Sequence, residues 1–175
     1  MIETGRLRLR EWKPSDLCSI RSLLGDPDVM RFSDSGVLEK LDQRAWLDRA
    51  AASFCNSGLP GSLRIERKCD GTFVGFLSLS RDPARVGATD AEIGFRLVKA
   101  AWNKGFATEA ARELIKAAGY RDKTERIVAI VDPNNRRSVR VLEKLGMKLQ
   151  GGIMLDGYEY PDHLWALRVS GVPPC

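Results

Sequence analysis

Histidine and cysteine are scarce in this 175-residue sequence, and their spacing excludes several kinds of site. Metal sites and disulfide frameworks use regularly spaced cysteines and histidines, but Cys18, Cys55, Cys69 and Cys175 form no CxxC pair. We therefore expect no metal. A Ser-His-Asp or Cys-His mechanism would have to use the single histidine, His163. Its neighbours, HLWALRV, have the pattern of a strand entering the core, which favours a structural or surface role.

Long apolar runs are absent as well, and aromatic residues are few. No stretch approaches the roughly 20 apolar residues of a membrane-spanning helix, and the N-terminal sequence MIETGRLRLREW has no apolar segment like that of a signal peptide. We therefore expect a cytoplasmic protein with no membrane partner. Lys and Arg (28) exceed Asp and Glu (23), which suits an anionic ligand. Because these cations are scattered and aromatics make up only 7% of the chain, nucleic acid is not expected as a partner.

Length and composition predict one globular domain. Hydrophobic residues are 43% and charged residues 29% of the chain, as in an ordinary folded protein. We assign residues 1–170 to this domain and expect residues 171–175 to form a disordered tail. A monomer and a homodimer both remain open.

Strand and helix patterns follow one another in a definite order. Period-two alternation or a continuous apolar run predicts strands over residues 5–12, two within 62–80, 91–100, 126–132, 147–155 and 163–169. Helical spacing predicts helices over residues 14–24, 41–54, 105–118 and 134–146. The strand, helix and strand between residues 91 and 132 form a β-α-β crossover, so two strands should be parallel. We predict an α/β fold of mixed α+β character, with a mostly antiparallel sheet of about seven strands and helices on both faces.

Glycines predict two local features of this sheet. Asp70 and Gly71 form a dipeptide favoured in hairpin turns where both residues adopt positive φ. Gly94 lies inside a predicted strand, where a glycine often marks a bulge or a close backbone approach.

The segment AAWNKGFATEAARELI begins its helix after Lys104 and Gly105 in place of an ordinary Ser or Asp cap. The first N–H groups of a helix lack internal partners and attract anions, and a preceding glycine leaves a phosphate room to approach them. The nucleotide motifs G-x-x-x-x-G-K-[ST] and G-x-G-x-x-G are both absent. The loop thus indicates a phosphate site of another kind, with a helix that merely follows a loop glycine as the alternative.

Two segments, in order, resemble the acyl-CoA-binding core of the GNAT N-acetyltransferase superfamily. AEIGFRLVKAAWNKGFATEA is similar to its fourth strand and pyrophosphate loop, and NNRRSVRVLEKLGM to its later CoA-contacting helix. IETGRLRLREWKPSD and the loop tryptophan resemble the branch that contains the ribosomal-protein N-terminal acetyltransferases. The resemblance covers nearly the whole chain. The family loop reads Gln or Arg, two residues, Gly, one residue, then Gly or Ala; here Trp102, Gly105 and Ala107 occupy those positions.

The resemblance implies acetyl-CoA as co-substrate, bound where the strands at 91–100 and 126–132 splay apart at Gly94. Free backbone groups of Phe95 and Leu97, on either side of Arg96, would pair with the pantetheine arm, and Asn135 would hydrogen-bond to it. The amides around the loop would hold the pyrophosphate: Lys104, Gly105, Phe106, Ala107 and Thr108. Lys104 and Arg137 would add positive charge, as would Arg136 and Arg140, which fit solvated helix-face cations equally well.

Acetyl transfer needs a neutral amine, whereas an α-amine (pKa about 8) and a lysine (about 10.4) are mostly protonated at neutral pH. A base is therefore required, directly or through water. By resemblance that base is Glu92, for which a surface residue or a cross-strand ion pair is the alternative. The tyrosine acid of many relatives is replaced by Leu142, and Ser138 matches the serine that assists the leaving thiolate in the ribosomal-protein branch. An ordinary helix-start serine is the alternative.

Three functions remain open at this stage. The resemblance favours an acetyl-CoA-dependent N-acetyltransferase acting on a protein or peptide N-terminal α-amine. A small amine, such as an amino acid, a polyamine or an antibiotic, would be acetylated by the same mechanism. A non-catalytic CoA-binding module would keep the binding motifs without the chemistry of Glu92 and Ser138.

Overall fold

The computed structural model describes residues 1–33, 35–53, 59–82, 86–119, 124–155 and 159–169. Its strands are β1 (Ile2–Glu3), β2 (Leu7–Arg10), β3 (Gly61–Arg67), β4 (Phe73–Ser80), β5 (Asp90–Leu97), β6 (Arg126–Val131), β7 (Lys148–Ile153) and β8 (Asp162–Arg168). Its helices are α1 (Leu17–Leu24), α2 (Pro27–Met30), α3 (Lys40–Ala52), α4 (Phe106–Gly119) and α5 (Arg136–Lys144), with 3₁₀ turns at Pro14–Asp16 and Lys99–Ala101. The predicted tail at residues 171–175 lies outside the described residues, so the domain boundaries stay a prediction.

The strands form a single sheet of eight, in the order β1-β2-β3-β4-β5-β6-β8-β7. Each neighbouring pair is antiparallel except β5 and β6, which the crossover through α4 makes parallel. The predicted α/β fold with a mixed, mostly antiparallel sheet is thereby confirmed. The additional strand is β1, whose two residues pair with Arg8 and Leu9. A strand of two residues is too short for periodicity to reveal.

Helices cover both faces of the sheet. Successive strand residues point to opposite sides, so each face carries apolar side chains that the helices bury. On one face the small apolar stripe of α4, centred on Ala110 and Ala111, packs into the main core with Ala91 and Ile93 of β5. On the other face α1, α2 and α3 enclose a second core that contains Phe76. Within the described ranges, none of the helices has the length and apolar character needed to cross a bilayer.

Two predicted backbone features differ in the structure. The hairpin between β3 and β4 forms, but Asp70 does not adopt positive φ, and the N–H of Gly71 (φ 69°) donates to the Arg67 carbonyl oxygen at 2.9 Å. The connection is therefore longer than a two-residue turn. The predicted bulge at Gly94 is wrong for the β4–β5 ladder, whose register runs without a shift from residue 92 to residue 97 of β5. A glycine fits at position 94 because the neighbouring strand packs closely there: a Cβ would lie 3.0 Å from Ser78 Oγ.

A buried charged cluster joins the start of α1 to the sheet. Asp16, which is 7% exposed, accepts from Arg10 Nη1 and Nη2 at 2.8 and 2.9 Å and from the Lys13 N–H at 2.8 Å. Arg64 Nε lies 3.6 Å from Asp16 Oδ1. Burial by itself raises the pKa of Asp16, but the hydrogen bonds from Arg10 and Lys13 and the two arginine charges together hold that pKa below its ordinary value.

Asp16→Asn is expected to lower the free energy of unfolding by about 3 kcal/mol, because it removes a buried carboxylate from the buried guanidinium group of Arg64 and the half-buried one of Arg10. A carboxylate with a depressed folded-state pKa contributes fully above its unfolded pKa, about 4, and this contribution is lost as the pH falls through the folded value. In urea unfolding, the difference between wild type and variant should therefore be constant at neutral pH and shrink below about pH 4. A difference that stays the same under acid would contradict this role.

Candidate active site

A cleft opens in the sheet where β5 and β6 stop pairing. The two strands pair over Asp90–Glu92 and residues 126–128 and are not paired with each other beyond that point. The space between them has a volume of about 690 Å³ and extends to the loop before α4 and the first turn of α5. Arg126 and Asp90, with Nη2 and Oδ2 2.6 Å apart, form an ion pair at the paired end. The predicted splay is therefore present, and it begins after Glu92.

Most of the predicted site residues meet in this cleft. Those that line it are Phe95, Arg96, Leu97, Gly105, Phe106, Ala107, Thr108, Asn135, Arg137 and Ser138. Glu92 and Lys104 do not line it. Residues from both motif segments, 91–110 and 134–147, thus line one cleft.

The backbone of β5 offers hydrogen-bonding groups to the cleft. The Val98 N–H donates to the carbonyl oxygen of Val74, its counterpart on β4, at 3.0 Å. Because bonding alternates along an antiparallel strand, Phe95 and Leu97 direct their N–H and C=O groups away from β4, towards β6. The Leu97 carbonyl, however, accepts from Trp102 Nε1 at 2.8 Å. The expectation that both residues present free groups is therefore corrected: this one carbonyl already has a partner.

The loop before α4 contains two residues with positive φ. Gly105 has φ 78° and Asn103 has φ 60°, and Asn103 is the one residue other than glycine with positive φ in the described part of the chain. This double left-handed turn leads directly into α4 at Phe106. The first N–H groups of α4 have no partners within the helix, so they can bind an anion. The Lys104 side chain is exposed beside this loop.

Trp102 explains how this chain departs from the family loop pattern. Its indole N–H holds the end of β5, as described above, and the Arg137 guanidinium carbon lies 4.4 Å from the centre of its ring. Stacking of a guanidinium on an aromatic face is favourable and orients it. The tryptophan therefore connects β5, the loop and α5, and it places Arg137 at the cleft.

The first turn of α5 contributes two polar residues. Asn135 is the N-cap of α5, and its Oδ1 accepts from the Ser138 N–H at 3.2 Å. The side-chain oxygen of Asn135 thus caps the helix, and its side-chain NH2 group is left to donate to a ligand. Ser138 is half-buried at the cleft, and Leu142, at the position of the tyrosine in many relatives, is 1% exposed in the core.

Glu92 lies at the closed end of the splay rather than on its wall. It is half-buried, pairs with Ser80 of β4 and Val128 of β6, and shares a face of the sheet with Gly94. Two residues along a strand span about 6.7 Å, so the Cα of Glu92 lies about that far from the Cα of Gly94. Among the residues that the structure describes, no group of three or more His, Cys, Asp or Glu could hold a metal ion.

Periodicity and motifs missed a contact between the N-terminal segment and the first turn of α4. Arg6 Nη2 lies 2.6 Å from Glu109 Oε2 in the first turn of α4. Burial raises the pKa of Glu109, but the hydrogen bonds from Thr4 and Arg6 outweigh burial and hold that pKa below its ordinary value. No local sequence signal marks this contact, since 103 residues separate its partners.

Comparison with known proteins assigns the family. The model of the acetyltransferase (GNAT) domain matches residues 6–148. YkkB, an uncharacterized protein of Bacillus subtilis, is 34% identical over 147 residues, which cover 82% of this chain and 83% of YkkB. The crystal structure of a GNAT-family acetyltransferase from Bacillus anthracis is 26% identical, has a TM-score of 0.83, and covers 95% of this chain and 97% of that one.

A more distant structure shares the fold. RimL, a ribosomal L7/L12 α-N-protein acetyltransferase in complex with CoA, is 17% identical with a TM-score of 0.77, covering 96% of this chain and 97% of RimL. The chain belongs to the GNAT acetyltransferase family, and it is an acyltransferase. The predicted superfamily is confirmed.

Proposed function

We propose that this protein transfers the acetyl group of acetyl-CoA to a primary amine, and that the amine is the N-terminal α-amine of a protein or peptide. The observation that carries the proposal is the unpaired gap between β5 and β6, which leads to the glycine-containing N-terminus of α4. The gap suits an extended amide chain, and the helix end suits the diphosphate to which that chain is joined in CoA.

Acetyl-CoA binding uses the backbone more than side chains. The N–H and C=O of Phe95 and the N–H of Leu97 pair with the pantetheine amides, and the Asn135 amide group donates to the same arm. The N–H groups of residues 104–108 hold the diphosphate, and Arg137 adds a cation that Trp102 orients. Lys104 adds diffuse positive charge from outside the cleft.

The chemical step removes two protons from the substrate ammonium group, one before the attack and one after it. Glu92 accepts the first proton through a water molecule, and the neutral nitrogen attacks the thioester carbonyl carbon. The nitrogen of the tetrahedral intermediate then loses its second proton to solvent, and as the C–S bond breaks, the electron pair stays on sulfur as a thiolate. Ser138 Oγ then donates a hydrogen bond to the thiolate, which stabilises the leaving group.

A second groove supports an acceptor larger than its amine. It has a volume of about 260 Å³, runs beneath α3, and shares Trp46, Phe76 and Ser78 with the cleft. Among the described residues that line it, Arg49 is charged and none is acidic. A polyamine or an aminoglycoside would favour carboxylates here, whereas a peptide chain can use the hydroxyl groups of Ser62 and Ser78. The resemblance to the ribosomal-protein branch favours the same acceptor.

The acceptor is tested by incubating the protein with acetyl-CoA and four amines. These are a lysine-free peptide with a free N-terminus, the same peptide with a blocked N-terminus and one lysine, spermidine, and an aminoglycoside. Mass spectrometry should show acetylation of the first peptide at its α-amine. Transfer to spermidine or the aminoglycoside alone would replace the peptide acceptor with a small molecule. Acetyl-CoA binding with no transfer to any amine would indicate a non-catalytic module.

A further inference from the structure

The turn between β1 and β2 is fastened to the first turn of α4. Arg6 Nε and Nη2 lie 2.7 and 2.6 Å from Glu109 Oε2, and the Arg6 N–H donates to Glu109 Oε1 at 2.9 Å. Thr4 Oγ1 also donates to Oε1. The Glu109 N–H donates to the Gly105 carbonyl oxygen at 3.0 Å, so the backbone of Glu109 is bonded directly to the loop before α4.

The Arg6 guanidinium lies at the edge of the proposed diphosphate site. Its central carbon is 4.6 Å from the centre of the Phe106 ring, and a Cβ built on Gly105 would be 3.5 Å from its Nη2. Gly105 and Phe106 both line the cleft. The Arg6 side chain is 54% exposed and that of Glu109 is 20% exposed, so the arginine is the outer member of the pair.

The pair resolves a conflict of charges at this helix end. A carboxylate in the first turn stabilises a helix through its dipole, but the same carboxylate repels a bound phosphate. A guanidinium that contacts one carboxylate oxygen through two nitrogens offsets that repulsion and leaves the partial positive charge of the helix N–H groups available.

We infer that Arg6 is a positioning residue for acetyl-CoA: it neutralises Glu109 and fixes Gly105 and Phe106 for the diphosphate. The inference rests on the proposed function and adds to the site a residue from a part of the chain that carries no CoA motif. It predicts opposite effects on acetyl-CoA affinity when the two members of the ion pair are substituted one at a time. If the pair were purely structural, the two substitutions would have the same effect.

Titration calorimetry with acetyl-CoA tests the inference. Arg6→Met should weaken binding by about tenfold, equivalent to about 1.4 kcal/mol. Glu109→Gln should bind as tightly as wild type or more tightly, and the double variant should recover most of the loss. The defect of Arg6→Met should shrink at high salt, because charge repulsion is screened.

Arg8→Met is the matched control. Arg8 lies two residues further along the chain, in β2, and forms an ion pair with Glu3, with Nε and Oε1 3.1 Å apart, so this variant should bind acetyl-CoA normally. If wild type binds while Arg6→Met and Glu109→Gln weaken binding equally, or if the double variant is no better than Arg6→Met, the inference is overturned. If wild type itself fails to bind acetyl-CoA, the proposed function fails instead.

Discussion

Gly105→Glu is expected to weaken acetyl-CoA binding by about 100-fold or more, because it places a carboxylate beside the N–H groups that we propose hold the diphosphate. Gly105 is exposed and lines the cleft, so the new side chain would lie at the proposed phosphate site. The left-handed backbone (φ 78°) adds about 1–2 kcal/mol of strain for any other L-residue. Titration calorimetry measures the affinity directly.

Two further variants separate charge from strain. Gly71→Glu imposes the same kind of strain at φ 69°, with nothing within 4 Å of its added Cβ, in a hairpin away from the cleft. It should bind acetyl-CoA normally. Gly105→Ala carries the strain without the charge and should bind with intermediate affinity. Wild-type affinity in Gly105→Glu would remove this loop as the phosphate site.

Glu92→Gln is expected to slow acetyl transfer by about 100-fold to 10,000-fold, the usual contribution of a general base. The glutamine fills the same space but takes no proton at neutral pH. Because Glu92 lies beyond the end of the cleft wall, the affinity for acetyl-CoA should stay near that of wild type. Initial rates at saturating acetyl-CoA, together with calorimetry, distinguish the two effects.

Glu143→Gln is the control for this substitution, because Glu143 is an exposed residue of α5. It should leave both rate and affinity unchanged. For Glu92→Gln, raising the pH should recover part of the lost rate, since a larger fraction of the amine is then neutral without a base. An unaltered rate at neutral pH would exclude Glu92 as the base.

The fold followed from the sequence because its larger elements carry clear periodicity. The alanine stripe of α4 and the apolar run of β6 each indicate one kind of element, and the crossover between them makes β5 and β6 parallel. Features set by a few backbone angles were harder to predict. Asp70 and Gly71 suggested a two-residue turn, but the hydrogen bond from Gly71 to Arg67 shows a longer connection. The β1 strand has only two residues, which give no period.

The features of the site likewise fall into those that a local sequence signal marks and those that it does not. Gly105 and the capped start of α5 are local signals, so the loop and helix that meet in the cleft could be identified before the structure was known. The Trp102 contact with the Leu97 carbonyl and the pairing of Arg6 with Glu109 are tertiary contacts. No spacing rule links such residues, since the folded chain alone brings them together.

Binding of acetyl-CoA is the claim on which the account depends, and its most direct test is the melting temperature of the purified protein with and without this ligand. At 100 times its dissociation constant a ligand adds about 2.7 kcal/mol, which for a domain of this size raises the melting temperature by roughly 5 to 10 °C. The account predicts a rise of that order with acetyl-CoA. No rise at millimolar acetyl-CoA would contradict it, and the cleft between β5 and β6 would then have to serve another ligand.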